Sequence, residues 1–329
     1  MFDHFCKPAL LGVCLLSAIA GEAAAQGTPK AITIVVPYAA GGGTDTVARL
    51  IGNHMSRTLG QSVVIENAVG AGGTTANERV ARSAPDGSVV LINHVALLAA
   101  PSLFTNLRYD TRAAFEPIGL VNNAPMVLIG RKSLPGQGAK DLVGWIKSQG
   151  AKANFAHGGV GTNSHLCAVM MGNALGFKPT FVAYRGSAPA ITDLLAGQID
   201  LLWDQVTNAL PQIQAGTLHG IAITSTERLE QLKDVPTTAE LGMPEITYTM
   251  WHGLYVAKGT SPEKVAELNT ALRQAVSDAD IVARLKQLGS LPFPANDMSP
   301  EAHAGLFATD LPRVAKLIES AGVKASEAK

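Results

Sequence analysis

Short apolar and β-branched runs, most of them followed by a polar junction and then a segment with helical spacing, constrain this chain more than any other feature. The runs are Ile32 to Val36, Val63 to Glu66, Val89 to Asn93, Ile118 to Val121, Met126 to Ile129, Asn154 to Ala156, Phe181 to Ala183, Ile199 to Trp203 and Gly220 to Thr224. Between most of them lie patterns such as Val47, Leu50, Ile51 and Met55, whose spacing puts one apolar stripe on a helix. Strand and helix in alternation predict an α/β fold with mostly parallel sheets flanked by helices. The tail differs. From Ser261-Pro262-Glu263 through Leu285 to Ile318 it reads as helices opened by an N-cap and an N1 proline, with little strand character.

The junctions carry the chemistry. "VVPYAAGGGTDTVARLI", Val35 to Ile51, runs from strand through three glycines into a helix. Free N–H groups and the dipole at a helix start favour an anion there. A nucleotide phosphate is disfavoured, because Thr44-Asp45 follows Gly43 where a P-loop needs Lys-Ser/Thr, and Thr46 stands where a dinucleotide fingerprint needs glycine. Four further junctions follow strands: Val69 to Thr75, His157 to His165, Tyr184-Arg185-Gly186-Ser187 and Trp203-Asp204-Gln205. In open α/β sheets ligands sit beyond the carboxyl ends of the strands, so these loops are expected to meet at one cleft. Glycine lets a ligand approach the backbone, Thr and Ser add hydroxyls, and Arg185 offers a guanidinium fork matched to a carboxylate. The expected ligand is an organic carboxylate.

Composition removes several classes. Formal charge is zero, with 26 basic and 26 acidic residues, and gives no electrostatic case for nucleic acid or an anionic membrane. Lys7, an apolar run from Ala9 to Ala20 and Ala23-Ala24-Ala25 read as an export signal over residues 1–25. Its removal shifts the charge only to +1 and leaves Cys167 as the one cysteine, so no internal disulfide is expected. Ile118 to Ile129 and Tyr248 to Val256 are extended stretches flanking the central third, which suits a middle lobe inserted into a discontinuous outer one.

Catalysis has thin support. Ser164 with His157 or His165 and Asp204 supplies the residue types of a hydrolase, but the loop holds no Gly-x-Ser-x-Gly elbow. His157 and His165 lie eight apart rather than at the i, i+4 spacing of common zinc sites, so no metal and no cofactor is expected. His94 and His252 are isolated and read as structural or ligand-facing.

The segments "VPYAAGGGTDTVARL", "ENAVGAGGTTANERVARSAPDG", "AYRGSAPAITDLLAGQIDLLWD", "AGTLHGIAITSTERLEQLKDVPTTAELG" and "WHGLYVAKGTSPEKVAELNTAL", in this order, resemble the periplasmic solute-binding proteins of tripartite tricarboxylate transporters, the TctC or Bug receptors. The likeness spans about Lys30 to Ser320. It implies a two-lobed periplasmic-binding fold of type II kind, with residues 26–124 and 250–329 in one lobe, 125–249 in the other, and the ligand cleft between them. It implies a monomeric, non-enzymatic receptor in the periplasm that hands a carboxylate to membrane permease subunits; delivery to a sensor kinase, or a secreted Ser164 hydrolase, are the alternatives. Carried over by position, Tyr38 to Thr46 form the first carboxylate loop, including Tyr38, Ala40, Gly41, Gly42, Thr44 and Thr46. Gly73, Thr74 and Thr75 support it. Gly161, Thr162, Asn163 and Ser164, then Arg185, Gly186 and Ser187, then Asp204, line the facing lobe, and His94 joins them from the first. Tyr38, Trp203 and His252 would give aromatic walls and a second polar anchor, which favours an aromatic dicarboxylate such as terephthalate over citrate.

Overall fold

The computed structural model describes residues 30–136, 138–320 and 322–325, so the export signal and Cys6 and Cys14 lie outside the described residues. The first strands pair as the alternation predicts. β1 (Ile32–Val36) is flanked by β2 (Val63–Asn67) and β3 (Val89–Asn93), both parallel to it. The helices between them are α1 (Gly43–Leu59) and α2 (Thr74–Ala81), and α3 (Val95–Leu103) follows β3. In α1 the apolar stripe of Val47, Ala48, Ile51 and Met55 is fully buried, each larger member worth about 1.5–3 kcal/mol in area removed from water.

The two stretches Ile118 to Val121 and Met126 to Ile129 form one strand, β4 (Phe115–Arg131). After it come α4 (Ala139–Gln149), β5 (Asn154–His157), α5 (Asn163–Leu175), β6 (Thr180–Ala183), α6 (Ser187–Leu195), β7 (Leu201–Gln205), α7 (Val206–Gln214) and β8 (Leu218–Ile223). The long β9 (Thr249–Ala257) then precedes the tail helices α8 (Pro262–Ser277), α9 (Ala279–Gln287) and α10 (Pro300–Ser320). Ser261 caps α8 by accepting from Lys264 N (3.2 Å) with Pro262 at its start. The tail also holds one short strand, β10 (Leu291–Pro292).

Strand order along the curled sheet is β2-β1-β3-β9-β4-β7-β5-β6, with β8 and β10 also on β4. Pairing is parallel at both ends, where β5 lies between β6 and β7. It is antiparallel in the middle, because β9 joins β3 to β4, and β4 runs against β7, β8 and β10. The sheet is therefore mixed rather than mostly parallel: α3 follows β3, but β4 does not return to pair with β3, because β9 enters between the two and runs antiparallel to both.

β4 changes partner at Pro125-Met126. Its residues up to Pro125 pair with β9, and from Met126 they pair with β7. Proline has no N–H for the ladder, and Met126 N instead donates to Thr224 Oγ1 (2.9 Å). The buried cores divide at the same place. One cluster draws on Ala124 to Met250 alone; the other two, on opposite faces of the remaining strands, draw on Ile32 to Val121 and Trp251 to Ile318, with Leu166 of α5 as the exception.

Candidate functional site

Four helices begin at one cleft. Gly42, Thr162, Gly186 and Gln205 immediately precede α1, α5, α6 and α7, all four line the cleft, and none caps its helix through a side chain. First-turn N–H groups and the positive dipole ends of four helices thus face a common space. His94, before α3, lines it too, but accepts from Ala96 N through Nδ1 (3.2 Å).

The first wall is the loop between β1 and α1. Gly41, at φ +83°, adopts a left-handed conformation that favours glycine, and its N–H donates to Asp45 (2.9 Å). Asp45 also receives Arg49 (2.9 and 3.0 Å) and Asn67 Nδ2 (2.9 Å), while the same Asn67 amide donates to Tyr38 O. Burial would raise the Asp45 pKa, but these hydrogen bonds outweigh it and hold the carboxyl below its ordinary value. Its charge is spent on pinning the loop. The Tyr38 ring stacks on His94, centroids 5.0 Å apart and 6° from parallel, and its hydroxyl donates to Asn93 Oδ1 (3.2 Å).

On the second wall the hydroxyls are committed to one another. Thr162 donates to Gly159 O (2.6 Å), so Ser164 is the donor in its 2.9 Å bond to Thr162, and Ser164 Oγ accepts from Gly158 N. His157 and His165 accept main-chain N–H through Nδ1, from Gly159 and Gly161. Burial pushes their pKa values down to about 4 and about 3. The Ser164 proton is thus directed to Thr162 and not to either histidine, which is not the arrangement of a serine nucleophile with its base. Tyr248 donates to Asn163 Oδ1 (2.6 Å), and Asn163 Nδ2 is buried with no hydrogen-bond partner. Asp204 accepts from Asn208 Nδ2 (2.7 Å) and Gln205 N (2.8 Å), yet burial raises its pKa to about 6.

The two walls touch. Ala39 N donates to Arg185 O (2.8 Å), and Gln205 Nε2 donates to Thr44 Oγ1 (3.2 Å). A side chain at Gly43 would overlap Gln205, since a Cβ there falls 2.8 Å from Gln205 Cδ. The space left between them is about 30 Å³, enough for water but not for an organic acid.

Of the residues expected at the site, Tyr38, Gly42, Thr44, His94, Thr162, Asn163, Ser164, Gly186, Ser187 and Asp204 line this cleft. Ala40, Gly41 and Thr75 are exposed and do not line it, nor does Thr46, half-buried in the first turn of α1. Gly73 backs Tyr38, Thr74 donates to Ala71 O, and Gly161 packs on Leu103 and Ala99. Three expectations need correction. Arg185 points its side chain to solvent and meets the first wall through its carbonyl, not its guanidinium. Trp203 is fully buried in the core, because β7 runs on to Gln205 and sets Trp203 inside the ladder opposite Leu128. His252 is fully buried behind Thr44, with Nε2 3.0 Å from Thr44 Oγ1. Gly43, Asp45, Gly158, Met126 and Gln205 also line the cleft. Gln205 adjoins Asp204 and was legible as its neighbour; Met126, inside a strand, carries no local signal.

A curled α/β sheet with a cleft lined by helix starts defines a solute-binding protein. The particular family follows from comparison: the chain matches the tripartite tricarboxylate transporter family receptor, TctC, over residues 47–323, and belongs to that family of periplasmic binding proteins. The structure of periplasmic binding protein BugD is 40% identical, covers 90% of this chain and 99% of its own, and superposes with a TM-score of 0.87. MatC of Rhodopseudomonas palustris, with bound malate, is 37% identical over 88% of this chain and 99% of its own, with a TM-score of 0.84. The R. palustris protein Rpa4515, with adipate, is 29% identical over 91% and 99%, with a TM-score of 0.85.

Proposed function

We propose that this receptor captures a short aliphatic dicarboxylate between two lobes, residues 26–124 with 250–329 and residues 125–249, and delivers it to the membrane subunits of a tripartite transporter. The observation that carries this reading is the convergence of four uncapped helix starts on a cleft where Asn163 Nδ2, buried, awaits an acceptor. One start lies on the first wall and three on the second, which suits an anion at each end of the solute. The two dicarboxylates held by MatC and Rpa4515 agree with that class. An aromatic diacid loses its support, since Trp203 is core and the Tyr38 ring already stacks on His94.

Neutral donors carry the charge recognition, so binding energy comes from contacts that both walls complete together. β4 and β9, the two long strands that pass between the cores, are the hinge about which the lobes close. Export with cleavage after Ala25, and action as a monomer, complete the reading.

Calorimetry on the chain from Gln26 onward, with succinate, malate, adipate, terephthalate, benzoate and citrate, tests it. Dicarboxylates are expected to bind and benzoate not; tighter binding of terephthalate or citrate than of every aliphatic diacid overturns the ligand class. Cells lacking the receptor are expected to lose uptake of the bound acid. Intact uptake with a lost transcriptional response would instead assign the protein to a sensor kinase.

A further inference from the structure

A buried file of side chains runs from the cleft into the first lobe, and its far end determines where every proton lies. Ser290 Oγ is 2.7 Å from Asn123 O, a main-chain carbonyl that can only accept, so Ser290 donates there. Asn122 Nδ2 then donates to Ser290 Oγ (2.7 Å), which turns Asn122 Oδ1 towards His252 Nδ1 (2.9 Å). His252 must carry its proton on Nδ1. Asn122, His252 and Ser290 are all essentially inaccessible, and burial holds the imidazole neutral, its pKa pushed down to about 3. Nε2 is therefore an acceptor, and the Thr44 hydroxyl, 3.0 Å away, donates to it.

From this file we infer that Thr44 presents lone pairs, not a proton, to the cleft, and that the receptor selects dicarboxylates bearing a hydrogen-bond donor, a hydroxyl or an ammonium, on the chain between the carboxylates. The inference rests on the dicarboxylate reading above. A threonine oxygen has two lone pairs once its proton is spent. Gln205 Nε2 occupies one and the other remains for the ligand. A ligand carboxylate oxygen set there would face oxygen against oxygen, whereas a donor would complete the bond. Asp204 adds a second acceptor on the opposite wall. The acceptors of the site thus have no use for a plain diacid, while its uncapped helix starts and Asn163 serve the carboxylates.

Two measurements test this. Calorimetry with succinate, malate and aspartate, and with glutarate and 2-hydroxyglutarate, is expected to show the substituted acid binding at least about tenfold tighter than its parent, the worth of one hydrogen bond to a site otherwise left unpaired. Malate above aspartate identifies the donor as hydroxyl, and the reverse as ammonium. Thr44→Val, close in shape and without lone pairs, is expected to bring the ratio towards one, and Thr44→Ser to retain it. Equal binding of parent and substituted acids, or a ratio that survives Thr44→Val, overturns the inference while leaving the dicarboxylate reading standing. Failure of all five acids overturns that reading, and the proton assignment is then judged by itself from ring ¹⁵N shifts of His252 in the wild-type protein: Nδ1–H is expected, and Nε2–H overturns it.

Discussion

The two walls of the cleft are built from the same parts, a strand end, a glycine turn and a helix start bearing hydroxyls, yet those hydroxyls are committed in different directions. On the first wall the Thr44 proton is drawn inward to His252 and the exposed function is an acceptor. On the second wall Thr162 and Ser164 satisfy each other and the loop carbonyl, and the polar group left without a partner is the buried Asn163 amide donor. Residue type says little about which way a hydroxyl faces. What lies behind it decides: a buried neutral histidine behind one wall, a carbonyl and a second hydroxyl behind the other.

Replacing the donor wall should have the largest effect. Asn163→Asp keeps the acceptor for Tyr248 and substitutes an anionic oxygen for the unpartnered Nδ2. Dicarboxylate affinity is expected to fall by two orders of magnitude or more in calorimetry, about 3 kcal/mol, as a charge-assisted bond becomes a repulsion. A loss below tenfold would remove Asn163 from the ligand.

The contact between the walls comes next. Gly186 sits at φ +121°, and a Cβ there would lie 2.9 Å from Ala39 N across the cleft. Gly186→Ala is expected to weaken binding about tenfold by holding the walls apart. Gly176→Ala is the control. It is also strained, at φ +77°, but meets nothing within 4 Å, so it should lower Tm while leaving the dissociation constant in place.

A smaller effect should follow Asp204. Burial raises its folded pKa to about 6 from an ordinary value of 3.8. The sign is that of a raised carboxyl: its stabilising contribution is complete below about pH 4 and is lost as the pH rises through about 6. Protonation also removes a negative charge from the cleft. Dicarboxylate affinity is therefore expected to rise several-fold between pH 7.5 and pH 6, and Asp204→Asn to flatten that dependence. An unchanged slope in the variant would show the charge of Asp204 to be remote from the ligand.

The smallest effect is expected at Arg185. Its side chain is exposed and the inter-wall bond uses its carbonyl, so Arg185→Ala should change affinity less than about twofold at 0.15 M salt. A loss of tenfold would restore the guanidinium to the ligand and undo the account of neutral recognition.

Much of the architecture was legible along the chain, because strand and helix periods are local properties. Ile32 to Val36 and Val89 to Asn93 are strands with the expected ends, the glycine junctions after β1 and β5 do open helices, and half of the expected site residues meet at the cleft. The misreadings share a cause. β7 extends two residues further than its apolar run because Asp204 and Gln205 find ladder partners in Val127 and Met126, some 78 positions earlier in the chain, and that extension moves Trp203 from the cleft to the core.

What the sequence determined by itself is the set of strand-to-helix junctions and their donor-rich composition, since turn chemistry and hydrophobic period depend on near neighbours. Only the tertiary structure decided which residues show their polar atoms to the solute. The direction of the Thr44 proton depends on His252, 208 positions away, and through Asn122 on Ser290, 168 positions further round the fold. A hydroxyl rotates freely about its own bond, so nothing near Thr44 in sequence orients it; a main-chain carbonyl at the far end of a buried file does.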